Sequence, residues 1–184
     1  ARVGRLERLR RVIHRCIVNL AANPRMRTDE HTCGAVDANL RIVGGYTMTD
    51  QEKAFATKLQ ESFKDQAQPL ENTQIIMPLR TYDGSASTDV GDVSWTVPTV
   101  GLGAATWVPG TAAHSWQAVA AGGTTIGFKG MMIAAKAMAL TCFDLYTNPV
   151  LVEDAKKEFM KKRGENFKYE ALIGDRKPAL DYRK

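Results

Sequence analysis

The stretch that decides the fold of this 184-residue chain spans residues 84–149 and reads GSASTDVGDVSWTVPTVGLGAATWVPGTAAHSWQAVAAGGTTIGFKGMMIAAKAMALTCFDLYTNP. It opens with an acid-containing turn, continues through small and β-branched residues at 96–108, and ends in a long apolar helical pattern at 125–146. Between the last two segments, His114 lies in a loop of small residues. A strand leading into a ligand-bearing loop, backed by a helix, is a common catalytic edge in α/β domains. The stretch therefore predicts an α/β fold with His114 at the edge of a sheet.

Length and composition bound the class of protein. The length fits one domain, or one and a part, and 44% hydrophobic residues is ordinary for a globular core. The three cysteines are far apart and form no CxxC pair, which indicates a reducing, cytoplasmic compartment. No signal peptide is recognisable, and the start at Ala1 fits either processing or a fragment of a longer protein. Lys129 and Lys136 interrupt the apolar run, so we expect a buried helix and no membrane partner.

The first 35 residues differ from the rest in charge. Residues 1–27 are rich in arginine, with Glu7 as the lone acid, and residues 1–22 have the apolar spacing of an amphipathic helix. Such a segment can bind nucleic acid or be a solvated helix face. The second interpretation is favoured because no aromatic residues are interleaved with the arginines. We therefore expect no nucleic-acid partner.

His31 and Cys33 are spaced as two candidate metal ligands, but no second ligand pair follows. A polar loop is the preferred interpretation of this region. Residues 36–43 predict a short helix that ends at Gly44-Gly45.

The next segments predict helices and one short strand. Thr49 and Glu52 form a capping box at a helix start. Residues 74–79 predict an edge strand, because Pro78 cannot donate to a ladder. Residues 150–163 predict a second amphipathic helix, ended by Gly164, with a polar strap after it.

For two of the predicted helices, the sequence also predicts which side is buried. Apolar stripes mark the sides that we expect to be buried: Phe55, Leu59 and Phe63 in the first, and Ile126, Met131, Ala135, Met138 and Cys142 in the long helix. Lys129 and Lys136 are seven residues apart, so they share a face and are expected to reach solvent.

Acids also precede the predicted strand. Asp89 and Asp92 fit a helix N-terminus, where carboxylates offset unpaired backbone N–H groups, or an active-site role. The sequence leaves both interpretations open.

Three segments carry a resemblance to a known family: residues 87–117 (STDVGDVSWTVPTVGLGAATWVPGTAAHSWQ), 37–60 (DANLRIVGGYTMTDQEKAFATKLQ) and 126–149 (IGFKGMMIAAKAMALTCFDLYTNP). They resemble the C-terminal part of the metal-dependent amidohydrolases that include aminoacylases and carboxypeptidase G. The aminobenzoyl-glutamate hydrolase branch is the most similar.

The resemblance implies a three-layer, zinc-peptidase-like catalytic domain, with a sheet flanked by helices, and a separate lid domain that provides dimer contacts. It implies two divalent ions, zinc or manganese, and a small-molecule amide substrate. His114 matches the position of a metal ligand in the family's (G)HS motif, with Ala113 where glycine is common. Ser87, Thr88 and Asp89 match a motif near the substrate. Residues 36–184 would belong to the catalytic domain, and residues 1–35 would be a lid remnant or a docking arm.

Most of the family's site is missing from the sequence. The family's other metal histidine lies in an HxD motif and its catalytic base in a Glu-Glu pair, and this chain contains neither. One imidazole cannot hold two ions. We therefore expect a piece of an amidohydrolase for N-acyl or aminobenzoyl amino acids that is inactive alone, with no catalytic group of its own. It would need the remainder of the catalytic domain or a partner chain, and would be a homo-oligomer in the parent enzyme. The alternative is a non-catalytic, hydrolase-like subunit with a structural or interaction role.

Overall fold

A computed structural model of the chain describes residues 19–20, 30–64, 67–81, 90–164, 166–170, 177 and 180. The elements follow in chain order: β1 (Asn19–Leu20), α1 (Glu30–Val43), α2 (Asp50–Gln60), a 3₁₀ helix (Leu70–Gln74), β2 (Arg80–Thr81), α3 (Val90–Ser94), α4 (Trp116–Gly122), α5 (Thr125–Thr147) and α6 (Pro149–Arg163). The long helix α5 packs mainly on α1, and also on α4 and α6.

The predicted α/β sheet fold is wrong for the described residues, which are mainly helical. The strand pairing found there is a two-residue parallel match of β1 with β2, which is too short to form a layer of a sandwich. Residues 96–108, predicted as the main strand, are irregular and lie against α5. The physical reason is that this segment is rich in glycine and alanine, which favour strands weakly, and the described part of the chain offers it no neighbouring strand.

Two other predictions of secondary structure, at residues 74–79 and 1–22, differ from the structure. Residues 74–79 do not form a strand; Gln74 ends the 3₁₀ helix and the strand residues are Arg80–Thr81. The predicted helix over 1–22 is wrong at Asn19–Leu20, which form β1. The rest of that helix lies outside the described residues.

The core has two apolar clusters joined by Tyr46. One contains Met48, Ala56, Leu59, Val108, Ala121 and Ile126; the other contains Val36, Leu40, Ile133 and Ala137. The Tyr46 ring packs against both clusters, and its hydroxyl donates a hydrogen bond to the Ala105 carbonyl at 2.9 Å. This bond holds the irregular 96–108 segment beside the helices.

Helix α1 ends where predicted but begins earlier. Gly44 follows its last residue with a φ of 76°, a backbone conformation that glycine adopts at low cost. The predicted polar loop is wrong from residue 30 onward, because His31 and Cys33 lie within the helix. The Glu158 carboxylate of α6 accepts the Glu30 backbone N–H at 2.9 Å and so caps the helix start.

The capping box of α2 is confirmed, and its predicted apolar stripe is confirmed at Leu59 but wrong at Phe55. The Thr49 hydroxyl accepts the Glu52 N–H at 3.2 Å, and the Glu52 carboxylate accepts the Thr49 N–H at 2.7 Å. The residues that α2 buries are Glu52, Ala56 and Leu59, whereas Phe55 is exposed. The sequence pattern did not indicate the buried side because its first residue, Glu52, is charged.

The bounds of α5 are confirmed to within a residue, but of its predicted buried face Ile126 is buried and the other residues are exposed. The residues that it buries are Ile126, Gly127, Gly130, Ile133, Ala137 and Thr141, whereas Met131, Met138 and Cys142 are exposed. At Gly130 an added Cβ would overlap the Ala105 carbonyl, so the absence of a side chain permits the close approach. Among the described residues, α5 alone is long and apolar enough to cross a membrane, a criterion that core helices of soluble proteins also meet.

The predicted helix at 150–163 is confirmed as α6. Pro149 occupies its first turn, and Gly164 follows its end with a φ of 89°. Beyond it, the Phe167 ring stacks on Trp95 with centroids 4.6 Å apart, so the described start of the tail packs beside α3.

Candidate functional site

The candidate site centres on His114, which lies in the connection between a tight turn and α4. The turn is fixed by the buried Thr111, whose N–H and hydroxyl both donate to the Val108 carbonyl, at 3.1 and 2.7 Å. The Gln60 amide of α2 donates to the Pro109 carbonyl at 2.8 Å. The chain leading into His114 is therefore held against α2.

Hydrogen bonds also hold the segment that follows His114. The Ser115 hydroxyl donates to the Ala112 carbonyl at 2.6 Å and accepts the Ala118 N–H at 3.2 Å, which makes Ser115 the N-cap of α4. Gln117 donates to the Ser62 carbonyl at 3.2 Å. His114 is thus exposed, as are Ala112 and Ala113, in a loop that is anchored on both sides.

His114 has an unusual backbone conformation. Its φ is 57°, and among the described residues it is the non-glycine residue with a positive φ. This left-handed conformation costs an L-residue about 1–2 kcal/mol, and such strain collects at functional sites. The predicted strand before His114 is absent, and the exposed residue lies in a loop whose two ends are held by hydrogen bonds.

The described residues do not fit a metal centre on their own. No group of three His, Cys, Asp or Glu side chains in the described ranges could hold an ion. A zinc site needs at least three protein ligands. His114 as a metal ligand therefore stays a prediction, and so does the divalent metal.

The other candidate ligand pair is not a site. Cys33 is buried in α1, whereas the exposed His31 imidazole lies 3.7 Å from the Glu158 carboxylate. The two side chains therefore lie in different surroundings on α1 and do not form a ligand pair.

The predicted substrate contacts Ser87, Thr88 and Asp89 lie outside the described residues. They directly precede α3, which begins at Val90. Asp92 lies in the first turn of α3, which agrees with its helix N-terminal interpretation. Burial raises the pKa of Tyr169, and a hydrogen bond to Asp92 and the charge of that carboxylate raise it further.

An ion pair joins the buried carboxylate of Glu52 to the partly exposed Lys129. Lys129 Nζ of α5 lies 2.6 Å from Glu52 Oε2, and the Thr125 hydroxyl donates to Glu52 Oε1 at 2.6 Å. Burial acts to raise the pKa of Glu52, but hydrogen bonds from Lys129, Thr125 and the Thr49 N–H, together with the lysine charge, lower it to about 2. Each carboxylate oxygen is engaged within the fold, so the pair stabilises the α2–α5 contact rather than acting on a substrate.

Sequence reasoning missed this pair because it expected Lys129 to reach solvent. The two residues are 77 positions apart, and no local pattern links them. Only the capping-box role of Glu52 was visible in the sequence.

An open depression of about 720 Å³ on α6 has a different character. It is lined by Glu153, Lys156, Lys157, Met160, Lys161 and Gly164, and His114 is not part of it. Binding pockets are usually enclosed and mostly apolar. This groove is open, and four of its six lining residues are charged, so it is not a candidate site.

Comparison with known proteins gives one informative similarity. Over 121 residues, 65% of this chain, the sequence is 34% identical to a p-aminobenzoyl-glutamate hydrolase subunit of Escherichia coli (strain K12). This similarity supports a relation to that protein's family, but the chain spans only 23% of the relative's length. No family model matches the chain, and no solved structure matches it.

Proposed function

We propose that this chain is part of a metal-dependent amidohydrolase that cleaves the amide bond of N-acyl or aminobenzoyl amino acids. The proposal is supported by the relative's name, which denotes a hydrolase of p-aminobenzoyl-glutamate. It is also supported by the family resemblance of the segment around His114. Because the chain corresponds to less than a quarter of that relative, the activity belongs to a larger assembly.

Within that assembly, His114 is proposed as the metal ligand that this chain contributes. The observation that favours the role is its exposed imidazole on a strained loop anchored by Thr111 and Ser115. Anchoring restricts where the ring can lie, and preorganised ligands bind without the cost of ordering a loop. The other ligands and the general base would come from polypeptide beyond the described residues.

Ser87, Thr88 and Asp89 are proposed as substrate contacts. Their hydroxyl and carboxylate groups could bind the polar end of an acylated amino acid. They stand immediately before α3, whose buried Ser94 hydroxyl donates to the Gly91 carbonyl at 2.7 Å and holds the helix compact.

A non-catalytic subunit is the second candidate. The relative is itself named a subunit, and the described residues contain no cluster of metal ligands. In that case the chain would stabilise or orient a partner chain that holds the whole centre.

The product of the complete gene, with a partner subunit if one is encoded separately, separates these candidates. Zinc and manganese are measured by mass spectrometry, and release of p-aminobenzoate from p-aminobenzoyl-glutamate is followed by chromatography. His114→Asn is the informative variant, because asparagine tolerates a positive φ and so keeps the loop. His31→Asn in α1 is the matched control.

The hydrolase proposal expects bound metal and hydrolysis in the wild type, with both reduced at least tenfold in His114→Asn and unchanged in His31→Asn. Metal and hydrolysis that survive in His114→Asn would remove the ligand role. A wild-type assembly with neither metal nor hydrolysis would favour the non-catalytic subunit.

A further inference from the structure

The outward side of α5 is a continuous apolar surface, referred to below as the outer face. Its members recur at spacings of three and four residues, which places them on one side of a helix. They are Phe128, Met131, Met132, Ala135, Met138, Ala139, Cys142, Phe143 and Tyr146, all exposed. Phe143 is 63% exposed and Tyr146 is 91% exposed.

The outer face is about as large as the largest apolar patch on a typical monomer, and such a patch often has a function. A 23-residue helix is about 34 Å long, and half of its circumference along that length is on the order of 500 Å². Monomeric soluble proteins rarely expose apolar patches of more than a few hundred Å². The short helix α4, which packs on α5, exposes two further large apolar side chains, Trp116 and Val119.

The charged residues of α5 do not lie within the outer face. Lys129 is bound to Glu52, and the Asp144 carboxylate accepts a hydrogen bond from Asn39 of α1 at 2.7 Å. The third charged residue of α5, Lys136, lies at the margin of the outer face. A helix that faces water normally carries charged residues there. The outer face instead has the composition of a buried one.

We propose that the outer face docks on an apolar surface of the polypeptide that completes the hydrolase, the counterpart of the part of the relative beyond the matched 121 residues. The argument is one of size: the chain covers 23% of that relative, so most of such an assembly is available to cover the helix. This inference rests on the proposed function. Three methionines and two phenylalanines suit the role, because flexible thioethers and flat rings fill an irregular apolar surface.

A membrane and a second copy of the chain are the competing occupants. A bilayer is disfavoured because the inner side of α5 packs on α1, whose partly exposed Arg41 and Asp37 form an ion pair. A spanning α5 would carry that pair into lipid, where charges are costly. A second copy would bury the same face in a dimer that depends on concentration.

Cys142 provides an internal probe of the outer face. Its thiol is exposed in the described structure, whereas Cys33 is buried. Maleimide labelling, located by peptide mass mapping, is compared between the 184-residue chain and the product of the complete gene with its partner subunit. Lys58→Cys on the exposed side of α2 is the matched control, since it should label equally in both samples.

The proposal expects Cys142 to label at least tenfold more slowly in the complete product than in the isolated chain. It also expects Met131→Glu/Met138→Glu to restore labelling or release the partner, while Lys58→Glu changes neither. Rapid Cys142 labelling in the complete product would overturn it. Protection of Cys142 in the isolated chain, together with a doubled mass by light scattering, would overturn it in favour of a dimer. Protection that requires phosphatidylcholine–phosphatidylglycerol vesicles would overturn it in favour of a membrane.

The outcome is separable from that of the proposed function. A complete product that protects Cys142 but does not hydrolyse p-aminobenzoyl-glutamate keeps the docking surface and removes the substrate assignment. A complete product that hydrolyses p-aminobenzoyl-glutamate but leaves Cys142 unprotected keeps the substrate assignment and removes the docking surface.

Discussion

Lys129 Nζ and Glu52 Oε2 lie 2.6 Å apart and join the start of α2 to α5. The same carboxylate accepts the Thr49 N–H and the Thr125 hydroxyl, so one side chain closes a capping box and an interhelical contact together. A carboxylate that is buried and ionised must be stabilised in this way, because an unpaired charge there would be costly.

Replacing Glu52 by glutamine should destabilise the fold at neutral pH by about 1–3 kcal/mol, because Lys129 loses its counter-ion. Lys129 is one-third exposed and can turn towards water, which keeps the loss below that of a fully buried pair. The free energy of unfolding from urea titration at pH 7 measures the effect. Lys157→Gln, which breaks an exposed pair with Glu153 on α6, should cost clearly less than Glu52→Gln, because water screens an exposed pair.

The stability contributed by Glu52 should depend on pH. Its folded pKa of about 2 lies below the ordinary value of 4.5, so its contribution is fully present above pH 4.5 and is lost as the pH falls towards 2. Urea titrations at pH 7, 4 and 3 should therefore show the difference between wild type and Glu52→Gln shrinking with acidification. A difference that stayed constant across this range would contradict the depressed pKa.

The Gly130 position should reject a side chain, because the Ala105 carbonyl occupies the space of a Cβ. Gly130→Ala should lower the free energy of unfolding by about 1–3 kcal/mol, as overpacking does. Gly34→Ala in α1 is the matched control. Nothing lies within 4 Å of its Cβ, so alanine should stabilise that helix by about 0.5–1 kcal/mol. Equal effects of the two substitutions would refute the close contact.

Local signals predicted the helix ends well because caps are encoded by neighbouring residues. Thr49 with Glu52, Gly44 and Gly164 each mark a boundary where the structure has one. The strand at 96–108 could not be judged this way, since a strand exists only if another strand pairs with it. Of the candidate site residues, His114 lies among the described residues and is in a loop as predicted, whereas its ligand role stays a prediction.

The buried side of α5 could not be read from periodicity, because the helix is apolar around most of its circumference. Its orientation is decided by Gly127 and Gly130, which let backbone approach closely. Hydrophobic scales give glycine little weight, so the methionines at 131 and 138 were preferred for the core and proved to be exposed.

Helix α1 offers a direct test of which side faces the core. Leu40 is fully buried against α5, so Leu40→Ala should cost about 2–5 kcal/mol of unfolding free energy. Ile42, on the other side of α1, is 75% exposed, and Ile42→Ala should change stability by less than about 0.5 kcal/mol. Thermal and urea unfolding followed by circular dichroism measure both. Similar losses for the two variants would mean that α1 packs on both sides.

Replacing His114 by glycine should stabilise the fold. Its φ of 57° is unfavourable for a histidine but not for glycine, so His114→Gly should raise the free energy of unfolding by about 1 kcal/mol. His31→Gly is the matched control with the opposite sign, since glycine inside α1 should cost up to about 1 kcal/mol. Urea unfolding of the 184-residue chain measures both, without any metal or substrate. A gain at position 114 would mean that the histidine is held at a cost to stability, which fits a side chain whose use lies outside the fold. A loss there would show that the imidazole or its backbone supports the loop, and the strain argument for a ligand role would no longer hold.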